Sequence, residues 1–583
     1  MKKLFSLFLI LFSVYSVLGQ CDCDDPSTII LENIHRSSYT FLANQNYCIK
    51  GNVTIEWDGI TFQNNTSICL SANSIFTTND LKGNTNENVN INIGENASFI
   101  FAGDIPSSFE ITIANGGVMK PRWGDLDING KFFNLTIEEG GNFDYNTVNV
   151  NSSESVMINN FGNFRAGNLT VNNSSQYFRL NNEGVLKSSN FNIYSKKEAL
   201  IDNLNKIEIG NLTFEHTENI IINNHGSYYL SLFSLKSGIE NFDFTNSKNA
   251  EVNLTSHIHL GSGASNFINQ GIIVSKGEIA LSNEATLNLN NSGAIKIDRN
   301  FDWGESSKLN YLYNTGKLNV GGQMSSERCK LEFYNYEDAE LTMVGHLTYG
   351  IEGPNKFENY GVFHADGLYS NDPTLHMKNE GQMILKSNYG DTEESFFSNC
   401  GTLIMENWFR LHGTIINTGN YNVPNGSITF EPTGRIQNYS VMKLKQIVMD
   451  PNSIFYNEGE VTFSEPPNTN IRFAGPGANV QPEHSDSSNY GRFKWPGTQS
   501  NQSGWARGNL NFVTTTPSSV NDNNAYGMFG RWNSVEFDSS VKFGNCNTCT
   551  VITEYDQCAN ADGTWPVIGP KCIPVNRHVR TYL

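Results

Sequence analysis

One short phrase, Asn followed by any residue and then Gly, returns along this chain at intervals of about 18 to 24 residues. After each phrase, apolar and polar residues alternate. The phrase begins at Asn160, Asn182, Asn224, Asn269, Asn291, Asn314, Asn359, Asn379, Asn399, Asn417 and Asn457, and the gaps are filled in register by Asn203, Asn246, Asn335 and Asn438, which lack the Gly. A fixed period of this length indicates stacked repeats.

A single repeat, residues 269–290, divides into three short segments with two-residue alternation, separated by Asn, Gly and Ser. Such alternation is typical of a strand with one buried face. Three strands in about 21 residues predict one coil of a parallel β-helix, in which each strand pairs with its equivalent in the next coil. We therefore predict an all-β solenoid of about 18 coils.

The Asn-x-Gly phrase fits a turn between strands. Asn tolerates left-handed backbone, and Gly takes a positive φ without penalty. Asn side chains repeated at one corner are also expected to form an amide ladder along the stack. A leucine-rich repeat is the main alternative, since its period overlaps, but its fixed Asn is surrounded by several Leu that are missing here.

The ends of the chain differ from the repeats. Lys2 and Lys3, the apolar run 4–18 and the small residue Gly19 predict a signal peptide over residues 1–19. We assign residues 20–89 to an N-terminal cap, 90–473 to the β-helix and 474–583 to a C-terminal cap or small module rich in Cys and Trp. No later stretch is apolar enough to predict a transmembrane segment.

The ten cysteines are placed unevenly. Clusters near the two ends of an exported protein predict disulfides, with the pairing left open. The candidates are Cys21, Cys23, Cys48, Cys69, Cys546, Cys549, Cys558 and Cys572. The last four also have a spacing that could hold zinc, although disulfides are the favoured interpretation. Cys329 and Cys400 are expected to be buried, unpaired thiols.

The formal charge of −19 argues against a nucleic-acid partner, because phosphate binding needs basic surface. No carboxylate pair recurs at one offset in adjacent repeats, so we predict no catalytic residues. We also predict no metal and no cofactor. The best candidate for ligand binding is an outward cluster of Trp408, Arg410 and His412, a patch suited to contact with sugars.

The repeats from Asn269 to Asn457 resemble secreted right-handed parallel β-helix proteins of the pectate-lyase-like class, as found in adhesins. The segment Val17-Leu18-Gly19-Gln20 and the Asn-rich repeats resemble exported proteins of the Bacteroidota. The resemblance implies a secreted or cell-surface rod without enzymatic activity, serving adhesion, matrix or surface structure and binding glycans or surface proteins. The alternative is a polysaccharide lyase or glycoside hydrolase that acts on an acidic polysaccharide.

Overall fold

A computed structural model describes most of the chain between residues 23 and 545. The gaps are residues 79–80, 83–87, 102, 106–107, 123, 173–174, 305–307, 327, 450–452, 458, 465–467, 470, 475–490, 496–502, 508–509, 515–533 and 538–541. The predicted signal peptide lies outside the described residues. The chain divides into two compact units, Met1–Gly277 and Glu278–Leu583.

Short strands make up the N-terminal unit. In chain order they are β1 Ile29–Glu32, β2 His35–Phe41, β3 Asn46–Lys50, β4 Asn52–Phe62, β5 Thr66–Leu70, β6 Ile75–Thr78, β7 Leu81–Lys82, β8 Asn88–Ile93, β9 Ser98–Phe101, β10 Gly103–Ile105, β11 Ser108–Ile113, β12 Val118–Lys120, β13 Leu126–Ile128, β14 Phe132–Ile137, β15 Asn142–Val150, β16 Ser155–Asn160, β17 Asn163–Val171, β18 Tyr177–Asn182, β19 Val185–Ile193, β20 Glu198–Asn203, β21 Lys206–Phe214, β22 Asn219–Asn224, β23 Ser227–Leu235, β24 Asn241–Asn246, β25 Glu251–Leu254, β26 Ile258–Asn269 and β27 Ile272–Ser275.

The C-terminal unit is built in the same way. Its strands are β28 Ile279–Asn291, β29 Ala294–Ile297, β30 Phe301–Asp302, β31 Leu309–Asn314, β32 Lys317–Val320, β33 Met324–Ser326, β34 Lys330–Asn335, β35 Glu340–Met343, β36 His346–Tyr349, β37 Lys356–Asn359, β38 Val362–Ser370, β39 His376–Asn379, β40 Gln382–Gly390, β41 Phe396–Asn399, β42 Thr402–Met405, β43 Phe409–Leu411, β44 Thr414–Asn417, β45 Asn420–Phe430, β46 Arg435–Asn438, β47 Val441–Met449, β48 Ile454–Asn457, β49 Glu460–Phe463, β50 Asn468–Thr469, β51 Ile471–Ala474, β52 Gly491–Trp495, β53 Ser503–Arg507, β54 Leu510–Thr514, β55 Ser534–Phe537 and β56 Lys542–Asn545.

The strands pair in parallel with their equivalents one coil away. Strand β16 pairs with β14 in the preceding coil and with β18 in the following one. Strand β17 pairs with β15 and β19 in two stretches, residues 163–166 and 168–171. Each coil thus supplies three paired stretches. The prediction of a parallel β-solenoid is confirmed, with about 19 turns of roughly 21 residues and no helix among the described residues, and the leucine-rich alternative is wrong.

Alternate residues of each strand point into the core and stack on their equivalents. One such column contains Ile111, Leu135, Ile158 and Leu180, all buried. Each buried aliphatic side chain stabilises the fold by about 1.5–3 kcal/mol. A single coil has nothing to pack against, so the core exists only because the coils are stacked.

The repeated Asn residues end one strand of each coil and form buried amide rows. In every row the Nδ2 atom donates to the Oδ1 atom of the next coil, over 2.7–2.8 Å. The N-terminal unit contains Asn160, Asn182, Asn203, Asn224, Asn246 and Asn269, and the C-terminal unit contains Asn291, Asn314, Asn335, Asn359, Asn379, Asn399, Asn417, Asn438 and Asn457. The expected amide ladder is confirmed.

The reason given above for the Gly of the phrase is wrong. No phrase Gly within the described part of the chain has a positive φ, and neither does any Asn of the rows. The coils approach each other too closely at this point for a side chain. A methyl group on Gly401 would overlap the carbonyl oxygen of Gly381, and one on Gly381 would overlap that of Gly361.

Parallel pairing begins well before residue 90, within the interval assigned to a cap. Strand β1 pairs with β3, β3 with β5, and β5 with β8. In these coils the position of the amide row is aliphatic, since Ile113 pairs with Ile137 and Ile137 with Asn160. Because these early coils lack the Asn, the Asn-x-Gly phrase does not reveal them in the sequence.

Parallel pairing also continues past residue 473. Strand β49 pairs with β52, β52 with β54, and β54 with β56. These strands lie within the interval assigned to a C-terminal cap or module. Most of that interval, including Trp532 and Trp565, lies outside the described residues.

Cysteines are distributed among bonded and free forms. Cys23 and Cys48 form a disulfide with their Cα atoms 5.4 Å apart. Cys69 and Cys400 are also disulfide-bonded, so the expectation of an unpaired thiol was wrong for Cys400. Cys329 is free and buried as predicted, and burial raises its pKa to about 12. The candidates outside the described residues remain predictions: Cys21, Cys546, Cys549, Cys558 and Cys572.

Candidate functional site

The residues Trp408, Arg410 and His412 meet on the outer surface of the C-terminal unit. The Trp408 side chain is 42% exposed, and its Nε1 atom donates to the Thr429 hydroxyl over 2.9 Å. The Arg410 guanidinium carbon lies 5.3 Å from the centre of the Trp408 ring, within cation–π range. Arg410 Nε is also 3.8 Å from Glu431. The large ring is therefore fixed in position while part of it remains accessible to a ligand.

Asp391, from the preceding coil, holds the third member of the cluster. This buried carboxylate accepts the backbone N–H groups of His412 and Gly413, over 2.7 and 3.1 Å. The His412 Nδ1 atom lies 3.5 Å from the same carboxylate. The interaction with Asp391 raises the pKa of His412 above its ordinary value of 6.5. Sequence reasoning missed Asp391 because it lies about 20 residues away along the chain.

A second group of polar side chains lies on the C-terminal unit. His346 Nδ1 is 3.6 Å from Asp366, and Ser387 donates to the Asp366 carboxylate over 2.9 Å. The ring of Tyr369 meets His346 edge to face at 4.9 Å. In the described residues no group of three or more His, Cys, Asp or Glu could hold a metal ion. His257 and His259, which stand two residues apart in the sequence, belong to no such group.

Five outward tyrosines form a further group, which we call the tyrosine array. The neighbouring rings are nearly parallel, with planes 7–18° apart and centres 5.3–6.4 Å apart. The array occupies three successive coils and consists of Tyr311, Tyr313, Tyr334, Tyr336 and Tyr360. Sequence reasoning missed it, although these residues stand one or three places from the phrase Asn and become visible once the repeats are aligned.

Carboxylates and ammonium groups border the array. The hydroxyl groups of Tyr334 and Tyr360 donate to Glu332 and Glu358, over 2.8 and 2.7 Å. Lys356 and Lys378 lie over the rings of Tyr334 and Tyr360, at 5.0 and 5.7 Å. Their ammonium nitrogens are 2.7 Å from Glu358 and 2.6 Å from Glu380. The phenols of Tyr334 and Tyr360 and the ammonium groups of both lysines are therefore held by carboxylates.

No protein-family model matches this chain, and no curated protein matches it. Within the part of the chain that the structure describes, no helix is long and apolar enough to cross a membrane.

Proposed function

We propose that this chain is a secreted or cell-surface β-solenoid without enzymatic activity, which serves adhesion, matrix or surface structure by binding glycans through its outward side chains. The observation that carries the proposal is the exposed Trp408 ring, fixed by Thr429 and Arg410 on a rigid stack of strands. An aromatic face beside hydrogen-bonding groups suits the apolar and hydroxylated sides of a sugar. Weak sites gain strength when a surface engages several copies at once.

Export is the second part of the proposal, and it is supported by the sequence of residues 1–19. Cleavage after Gly19 would leave Gln20 as the first residue of the mature chain. Mass spectrometry of the native protein tests this directly. A mature chain that retains residues 1–19 would contradict export by this signal.

A glycan-binding screen of the full chain tests the site. We expect Trp408→Ala to lose at least about tenfold in affinity for the glycans that the native chain binds, because about 1.4 kcal/mol of stacking energy corresponds to that factor. The matched control is Tyr229→Ala, which removes an aromatic side chain of similar exposure, 40%, from the N-terminal unit. Equal losses in both variants, or no glycan binding by the native chain, would overturn the assignment.

The alternative of an acidic-polysaccharide lyase has one supporting observation, since Arg410 and His412 place a cation beside a base. A lyase base removes a proton from the sugar carbon next to the carboxyl group, the glycosidic oxygen leaves, and a carbon–carbon double bond forms. The raised pKa of His412 leaves less of the neutral imidazole that this step needs. Incubation with polygalacturonate, followed by absorbance of unsaturated products, separates the two functions.

A further inference from the structure

We propose that the tyrosine array is a second binding surface, which takes a neutral, β-linked polysaccharide chain laid along the stacked coils. The inference rests on the proposed extracellular, glycan-binding function and adds a separate site with a defined class of ligand. The array and the Trp408 cluster share no residue, so each can be tested without the other.

The shape of the array suits an extended ligand better than a compact one. Tyr313 and Tyr334 are direct partners in adjacent strands, and their rings are 5.3 Å apart with planes 7° apart. Tyr336 and Tyr360 extend the series into the next coil at 6.4 Å. The Tyr336 side chain is 38% exposed. β-Linked sugar chains are flat ribbons with faces of C–H groups, and a row of aromatic rings offers matching apolar contact at low entropic cost.

Hydrogen-bonding groups are fixed beside the rings. The phenols of Tyr334 and Tyr360 are committed to Glu332 and Glu358, so these side chains do not need to be ordered when a ligand arrives. Burial and the bond to Glu332 raise the pKa of Tyr334 to about 12, and the phenol therefore keeps its proton and its bond to Glu332 at neutral pH. Each carboxylate has further lone pairs that can accept sugar hydroxyl groups.

The local charge distinguishes a neutral glycan from an acidic one. The two cations at the border, Lys356 and Lys378, are already neutralised by Glu358 and Glu380. A polyanion would therefore meet carboxylates at the border, where Lys356 and Lys378 are already paired. The chain as a whole also has a formal net charge of −19. The same repulsion disfavours nucleic acids, although their bases also stack on aromatic rings.

The test compares binding of the full chain to a mixed-linkage β-glucan, a β-mannan and polygalacturonate by calorimetry and affinity electrophoresis. We expect the native chain to bind at least one neutral polymer more tightly than polygalacturonate. The double variant Tyr313→Ala/Tyr336→Ala should lose at least about tenfold in affinity for that polymer. Tyr336→Phe, which keeps the ring, should bind within about twofold of the native chain. Circular dichroism confirms that the variants are folded.

Two results would overturn this inference without touching the Trp408 site. One is the absence of binding to both neutral polymers, and the other is equal or tighter binding to polygalacturonate. Tyr229→Ala is the matched control, because it removes an exposed aromatic side chain that belongs to neither site and should leave binding unchanged. If Trp408→Ala abolished binding of the neutral polymers and the double tyrosine variant did not, the ligand would belong to the Trp408 cluster and the array would be structural only.

Discussion

From residue 160 onward, the coils carry a buried Asn where the earlier coils have an aliphatic core side chain. The cost of burying this amide depends on its having hydrogen-bond partners. Asn335 accepts from Asn314 and donates to Asn359, at 2.8 and 2.7 Å. Its Nδ2 atom also donates to the Val362 carbonyl over 3.0 Å. Asn335 is therefore bonded on both sides, so its loss affects three coils.

We predict that Asn335→Ala lowers the free energy of unfolding by about 2–4 kcal/mol. The change leaves a buried amide oxygen on Asn359 and weakens the bonding of Asn314, and each unsatisfied buried group costs about 1–3 kcal/mol. Urea unfolding followed by circular dichroism measures the effect. Asn319→Ala is the matched control, since Asn319 is an exposed Asn in strand β32 and its removal should cost less than about 0.5 kcal/mol. Equal effects would show that the row contributes nothing.

The pH dependence of His412 follows from its position beside Asp391. Its folded pKa is raised above 6.5, so the protonated form is favoured in the folded state. The stabilisation is complete below about pH 6.5 and is lost as pH rises through the folded pKa. We predict that His412 titrates above 6.5 by NMR and that Asp391→Asn lowers its pKa. Glu431→Gln should lower it less, because Glu431 is the weaker influence. A His412 pKa at or below 6.5 in the native chain would contradict this.

At this scale the sequence predicts side-chain type and spacing but not the partner supplied by another coil. The outward placement of Trp408, Arg410 and His412 follows from alternation alone. Asp391, Thr429 and Glu431 come from neighbouring coils, and their register depends on repeat lengths that vary between about 18 and 24 residues. A register error of two residues keeps every side chain on its correct face while changing every contact.

Backbone hydrogen bonds hold paired strands at a fixed distance. At the Gly of the Asn-x-Gly phrase, this distance leaves no room for a side chain. At Gly401 the Cβ position is occupied by the Gly381 carbonyl oxygen. Backbone atoms cannot rotate away as a flexible side chain can. The coils themselves would have to separate to admit a methyl group.

We predict that Gly401→Ala destabilises the protein by about 1–3 kcal/mol or more, as expected for overpacking against rigid atoms. Gly390→Ala is the control, because a Cβ there would lie 3.2 Å from the Tyr369 ring, which can shift by a few tenths of an ångström. Gly390→Ala should cost less than about 1 kcal/mol. Thermal and urea unfolding of both variants compare the two, and an equal loss would mean that the phrase Gly has another role.

The sequence predicts the element type and the period well where the Asn is present and less well where it is absent. Strands β3, β5, β8 and β11 alternate as clearly as the later ones, but the position that would carry the marker is aliphatic, as at Ile113. An aliphatic residue satisfies the core without leaving a recognisable phrase. The row position therefore accepts either a hydrogen-bonded Asn or an aliphatic residue, and only the Asn is easy to recognise in a single sequence.

Across the whole molecule, stability is expected to be the sum of contacts between neighbouring coils. A repeat that touches only its neighbours passes a local defect on to them and little further. We predict that Gly401→Ala speeds amide hydrogen exchange in the coils around residues 379–420 and leaves residues 155–224 unchanged. Exchange measured by mass spectrometry of peptic peptides decides this, and a uniform loss of protection throughout the chain would show global coupling instead.

The amide rows also have a direction. In each unit every side-chain nitrogen points toward the later coil and every oxygen toward the earlier one, from Asn160 to Asn269 and from Asn291 to Asn457. One reversed amide would set two donors or two acceptors against each other, so the whole row turns together or not at all. A duplicated coil inserted in frame would carry an Asn at the row position and would extend the row in the same direction. A coil with another side chain at that position would interrupt the row.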